Sequence, residues 1–117
     1  ANPASMAATL AVLAHEPGRH VAVLGEMREL GEASDAYHAA LAEPVLAAHV
    51  ETALLVGEKM TPLAEALEGR VDFVHVPDAA SALDRLAQMI APGDAVLVKG
   101  SNGVGLSRVV AALAGGV

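Results

Sequence analysis

The sequence predicts a doubly wound α/β domain: a mostly parallel β-sheet with helices on both faces. Short apolar runs alternate with helix-length segments along the whole chain. The runs are apolar at nearly every position, as in strands buried on both faces of a parallel sheet. The chain has 117 residues, 54% hydrophobic and 18% charged, which is enough for one core.

Each element has a local cause. Asn2-Pro3 opens the first helix, with Asn as cap and Pro in the first turn; Ala4 to His15 follows without a breaker, and Pro17-Gly18 ends it. His20 to Leu24 is a buried strand stopped by Gly25. Glu26 to Ala33 is a polar loop containing Gly31. Ser34 is expected to cap a helix that runs to about His49 and kinks at Pro44. Glu51 to Val56 is the second strand, stopped by Gly57, and a helix from Glu58 to Glu68 is interrupted early by Pro62. Asp72 to Val76 is the third strand. Asp78 caps a helix to Ile90, and Pro92-Gly93-Asp94 makes a tight turn. Ala95 to Val98 is the fourth strand, and a last helix is expected from Val104 to Ala114. The opening on a helix cap, with no strand before it, reads as a cut from something longer.

Composition excludes several functions. The net charge of −7 repels nucleic acid and anionic lipid. No cysteine is present, so there is no disulfide framework and no thiolate metal site. With one Phe, one Tyr and no Trp, there is no aromatic platform for stacking bases. Gly, Pro or charge interrupts every apolar stretch well before the ~20 residues a membrane-spanning helix needs. Ala1 to Met6 lack the basic start of a signal peptide. No nucleic-acid partner, no membrane insertion and a cytoplasmic location are therefore expected.

In an open parallel sheet, ligands bind where the strands end at their carboxyl termini. The residues there are Gly25-Glu26-Met27-Arg28, Gly57-Glu58-Lys59, Pro77-Asp78 and Lys99-Gly100-Ser101-Asn102-Gly103. The last loop combines a Lys, two glycines, a hydroxyl, an amide and a helix start, which suits a carboxylate or phosphate. A plain strand-to-helix turn with a cap has the same pattern. In the first loop Glu26 suits a cation or a ligand hydroxyl, and Arg28 a phosphate; a solvated loop with an internal ion pair is the alternative.

Other motifs are absent. No G-x-x-x-x-G-K-[ST] occurs, and Gly103-Val104-Gly105 does not complete a dinucleotide fingerprint. The histidines at 15, 20, 38, 49 and 75 have no metal-ligand spacing, and His20 and His75 read as partly buried strand residues. Ser34 and His38 stand four apart on one helix face, which suggests a cap and a surface contact. The residues alone thus lead to an α/β ligand-binding domain with an anion-friendly loop, and not to a reaction.

Three stretches together resemble a known family. Asn2-Pro3-Ala4-Ser5-Met6 looks like the end of the asparagine-alanine-asparagine-proline motif of the Mur ligases. Val23 to Gly31, followed by Ser34 and His38, is similar to a stretch typical of the branch that adds D-alanyl-D-alanine. Pro92-Gly93-Asp94 through Ser101 is similar to that branch's last strand and loop. The resemblance implies that residues 1–117 are the Rossmann-like C-terminal domain of a three-domain enzyme. The other domains would hold the UDP-sugar and, in a central ATPase domain with a P-loop, the nucleotide. The implied reaction joins D-alanyl-D-alanine to UDP-N-acetylmuramoyl-tripeptide in peptidoglycan precursor synthesis, using ATP and Mg2+ bound mainly by the central domain.

Carried over by position, the resemblance implies substrate-side roles for Lys99, Ser101 and Asn102. It implies nucleotide-side roles for Asn2, Glu26 and Arg28, and neither a catalytic nor a metal-ligating residue in this chain. Glu26 stands where the family usually has Asp, and Asn102 where it often has Arg. The implied partners are the central ATPase domain of the same chain and the two substrates, and the chain alone is expected to be inactive. Alternatives are another ligase of the superfamily, such as a folylpolyglutamate synthase, and a generic nucleotide-binding α/β module. Gly25 to Gly31 argues against the first, and no fingerprint supports the second. A signalling receiver would need an acidic pair and a phosphorylatable Asp, which the strand ends lack.

Overall fold

In the computed structural model, which describes residues 3–27 and 31–99, the alternation folds as helix α1 (Pro3–Leu13), strand β1 (His20–Gly25), α2 (Ser34–Ala40), α3 (Ala42–Ala47), β2 (Val50–Val56), α4 (Thr61–Leu67), β3 (Asp72–Val76), α5 (Ala79–Met89) and β4 (Ala95–Lys99). Short 3-10 turns at Gly31–Ala33 and Glu58–Met60 precede α2 and α4. All described strand pairs are parallel, in the order β3-β2-β1-β4. The chain therefore grows outward from β1 to β3, then returns to add β4 on the other side of β1.

The strands are apolar throughout because both faces are covered. Ala22, Leu24, Ala53 and Leu55 pack under Met6, Leu10 and Leu13 of α1, Val45 of α3 and Leu63 and Leu67 of α4. Their neighbours Val21, Val23, Leu54 and Val56 point the other way and pack with Ala82 and Leu86 of α5. Every residue of β1 is buried, as expected for a strand with a partner on each side.

Three local expectations are corrected. The helix expected to kink at Pro44 is two helices divided at Leu41. Pro44 has no N–H for the Ala40 carbonyl and its ring crowds that oxygen. The Leu41 N–H turns back to the His38 carbonyl at 3.2 Å, and the ladder restarts where the Val45 N–H meets the Leu41 carbonyl at 3.0 Å. Ser34 is not the cap of α2. Ala33 holds that position without a side-chain bond, because the preceding 3-10 turn delivers Ser34 already inside the first helical turn. The helix expected from Glu58 begins as a 3-10 turn and becomes α4 at Thr61. Pro62 then sits in the first turn, where its missing N–H has no partner to lose.

Asp78 caps α5 as expected, accepting the Ser81 N–H at 2.8 Å. The turn at Pro92-Gly93-Asp94 closes with the Asp94 N–H on the Ala91 carbonyl at 3.1 Å. The expected cap Asn2 and the expected helix from Val104 to Ala114 lie outside the described residues.

Candidate functional site

Strand order decides where the sheet can bind a ligand. β2 lies on one side of β1 and β4 on the other, so the chain changes its direction across the sheet at β1, and in open parallel sheets ligands bind at the carboxyl ends of strands at such a point. The register pairs Leu24 of β1 with Lys99 of β4, so the two strands end side by side. Glu26 and Lys99, 73 positions apart in the chain, thereby reach the same end of the same strand pair. Of the other residues expected at the site, Asn2, Arg28, Ser101 and Asn102 lie outside the described residues.

Glu26 is held from several directions. Its own N–H donates to the Val56 carbonyl at 3.0 Å, which extends the β1–β2 pairing by one bond. Its carboxylate Oε2 accepts the Lys59 N–H at 3.0 Å. The carboxylate lies directly over Gly57, where an added Cβ would stand 2.5 Å from Oε2 and 2.9 Å from Cγ. Gly57 has φ +108° and ψ 150°, a conformation that belongs almost only to glycine. Its N–H donates to the Val76 carbonyl at 2.9 Å, and its carbonyl accepts from His75 Nε2 at 2.6 Å. The first two strand ends are thus joined through one glycine and one carboxylate.

His38 corrects the expectation of a surface contact. The ring is fully buried, because the chain leaving β1 folds back against α2. Nε2 accepts the Met27 N–H at 2.9 Å. Nδ1 faces the Ser34 carbonyl at 2.7 Å and the Ser34 hydroxyl at 3.3 Å. A lone pair on Nε2 and a proton on Nδ1 satisfy both contacts, so the ring is the neutral Nδ1–H tautomer. His20 is also buried rather than partly so, with both ring nitrogens against main-chain carbonyls at the opposite end of the sheet.

Asp78 is committed to its helix. The Ser81 main chain and side chain hold its carboxyl below the ordinary carboxylate range. Among the described residues no three His, Asp or Glu side chains converge as a metal site. Sequence reasoning expected Glu26, Gly57 and Lys99 at the carboxyl ends of the strands, and the structure places them there. That reasoning did not foresee that the Glu26 carboxylate lies over Gly57, nor the contacts of His38 and His75 at this end of the sheet.

Comparison with known proteins bears on the family and the fold. A family model described as "Mur ligase, glutamate ligase domain" matches residues 1–102. The chain belongs to that family. The Mur ligase match includes all six expected site positions, from Asn2 to Asn102. The chain is 37% identical over 115 residues to the UDP-N-acetylmuramoyl-tripeptide–D-alanyl-D-alanine ligase of Escherichia coli, covering 97% of this chain and 25% of that protein. It is 36% identical over 135 residues to the ligase of the same name from Mycobacterium leprae, covering 98% of this chain and 26% of that protein. Among solved structures it is similar to MurF from Acinetobacter baumannii, with TM-score 0.82, 28% identity and coverage of 97% and 26% of the two chains. MurF ligase from Thermotoga maritima, crystallised with ADP, matches with TM-score 0.75, 26% identity and coverage of 95% and 25%. The chain spans about a quarter of the length of these relatives.

Proposed function

We propose that this chain is the C-terminal domain of an ATP-dependent ligase that adds D-alanyl-D-alanine to UDP-N-acetylmuramoyl-tripeptide in the cytoplasm. The observation that carries the reading is near-complete coverage of this chain by ligases of that name, at 37% identity for the Escherichia coli protein. In this reading the tripeptide carboxylate attacks the γ-phosphorus of ATP and releases ADP. The amine of the dipeptide then attacks the acyl carbon, phosphate leaves, and the amine proton passes to solvent or a base. ATP and Mg2+ sit mainly on a central ATPase domain of the same polypeptide.

The part played by this chain is to bind and to enclose. An acyl phosphate must be kept from water, and a domain that closes over the nucleotide does this. In this reading Glu26, Arg28 and Asn2 serve the nucleotide. Lys99, Ser101 and Asn102 serve the incoming dipeptide, since a Lys and a hydroxyl suit its carboxylate. Lys99 is one of only two lysines in a chain of net charge −7, so it is a local attraction for an anion on an otherwise repelling surface.

A chimera tests the reading. The C-terminal quarter of the Escherichia coli ligase is replaced by residues 1–117, and phosphate release is followed against dipeptide concentration. Dipeptide-dependent release well above that of the truncated enzyme supports the proposal. A folded chimera with no dipeptide-dependent turnover overturns it.

A further inference from the structure

His38 is a buried, fully hydrogen-bonded polar side chain for which the fold has no evident need. A leucine of similar volume would fill the same space and avoid desolvating two ring nitrogens. What the imidazole adds is an acceptor for one particular donor, the Met27 N–H, at 2.9 Å. That amide is the first past Glu26, and the chain there has left the sheet. The last ladder bond on this side is the Glu26 N–H to the Val56 carbonyl.

We infer that His38 is a positioning residue: by bonding the Met27 N–H it fixes the direction in which the chain leaves β1, and so aims the Glu26 carboxylate over Gly57. The two amides flanking Glu26 are then both tied down, one by β2 and one by α2. The ring is oriented in turn by the Ser34 carbonyl, which keeps the proton on Nδ1 and the lone pair on Nε2. The consequence for catalysis rests on the proposed function, because it assumes that Glu26 faces the nucleotide. The consequence for the chain does not.

Two substitutions separate positioning from packing. In His38→Gln the side-chain oxygen reaches the place of Nε2 and still accepts the Met27 N–H. In His38→Leu the volume is kept and the acceptor is lost. Amide exchange on the 117-residue chain is expected to speed up at Met27 by about tenfold in His38→Leu, the scale of one lost hydrogen bond. His38→Gln is expected to stay near the parent rate. Equal rates at Met27 in the two variants, or no change in His38→Leu, would overturn the inference. In the chimera, His38→Leu is expected to raise the KM for ATP several-fold with little change in kcat, and His38→Gln to recover most of it. A merely structural role predicts no such split and no recovery by Gln. If the parent chimera is inactive, the proposed function fails and the exchange rates alone decide the role of His38.

Discussion

The Glu26 carboxylate accepts the main-chain N–H of Lys59 at 3.0 Å, passing over Gly57 to reach it. One side chain thereby joins the loop after β1 to the turn after β2. Because the partner is a main-chain amide, its position follows the backbone of the 3-10 turn and not a lysine rotamer.

Gly57→Ala attacks this link from below. The new Cβ would meet Oε2 at 2.5 Å and Cδ at 2.7 Å, at a backbone φ of +108°. We expect a loss of about 1–3 kcal/mol in urea unfolding, the usual cost of a side chain in such a conformation. In the chimera the KM for ATP should rise with it. Unchanged stability and unchanged KM would show that Glu26 is not constrained by this contact.

Lys99 and Ser101 carry the dipeptide prediction. Lys99→Ala and Ser101→Ala in the chimera should lower kcat/KM for D-alanyl-D-alanine by roughly ten- to a hundredfold, as for losing one hydrogen bond to a charged group. The KM for ATP should change less. A helix-capping role predicts the opposite pattern, a lower melting temperature with normal dipeptide kinetics. Steady-state rates beside a melting curve decide between them.

His20 links stability to pH. Nδ1 lies 2.7 Å from the Ala48 carbonyl oxygen and Nε2 2.6 Å from that of Glu16. Both are acceptors, so the ring donates to both only as imidazolium. The Glu16 carbonyl first, then that of Ala48, with the Glu51 carboxylate adding to them, hold its pKa above the ordinary 6.5. A raised pKa means that the stabilisation is complete below 6.5 and fades as pH rises through the higher folded-state value. The gap in unfolding midpoint between the parent chain and His20→Gln should therefore be widest in mild acid and narrow toward alkaline pH. A gap independent of pH would rule out the doubly donating ring.

Asp94 acts with the opposite sign. Arg19 approaches it in two places, Nη2 to Oδ2 at 2.7 Å and Nε to Oδ1 at 3.3 Å, and the Ala91 N–H adds a third bond at 2.8 Å. Arg19 first, then the Ala91 amide, lower its pKa from the ordinary 3.8. This stabilisation is present above 3.8 and is lost as pH falls through the lower folded-state value. Asp94→Asn should melt lower than the parent near neutrality, and the difference should shrink in acid. Salt should shrink it too, since Arg19 is 36% exposed. Melting curves across acid pH at low and high salt check both.

The reach of sequence reasoning is clearest at particular residues. Asp78 was legible as a cap because its bond to the Ser81 N–H is three residues away and independent of the rest of the fold. Pro44 was legible as a disturbance of its helix, but the break falls at Leu41, since proline acts on the carbonyl four residues before it. Ser34 and His38 were paired correctly by spacing and misjudged in setting. Nothing in a four-residue interval tells that the chain from β1 comes back to lie on the ring.

By itself the sequence determined the alternation of helix and strand, the places of the four strands, the turns that separate them and the acidic, cysteine-free character of the chain. Those properties depend on neighbours a few residues apart, through periodicity, capping and backbone preference. Only the tertiary structure decided that β4 lies beside β1, that Lys99 ends next to Leu24, that Glu26 reaches Lys59, 33 positions on, and that Arg19 meets Asp94, 75 positions on. Strand order is chosen by which apolar faces the helices bury together. The ends of strands distant in sequence, and the site they make, follow from that packing.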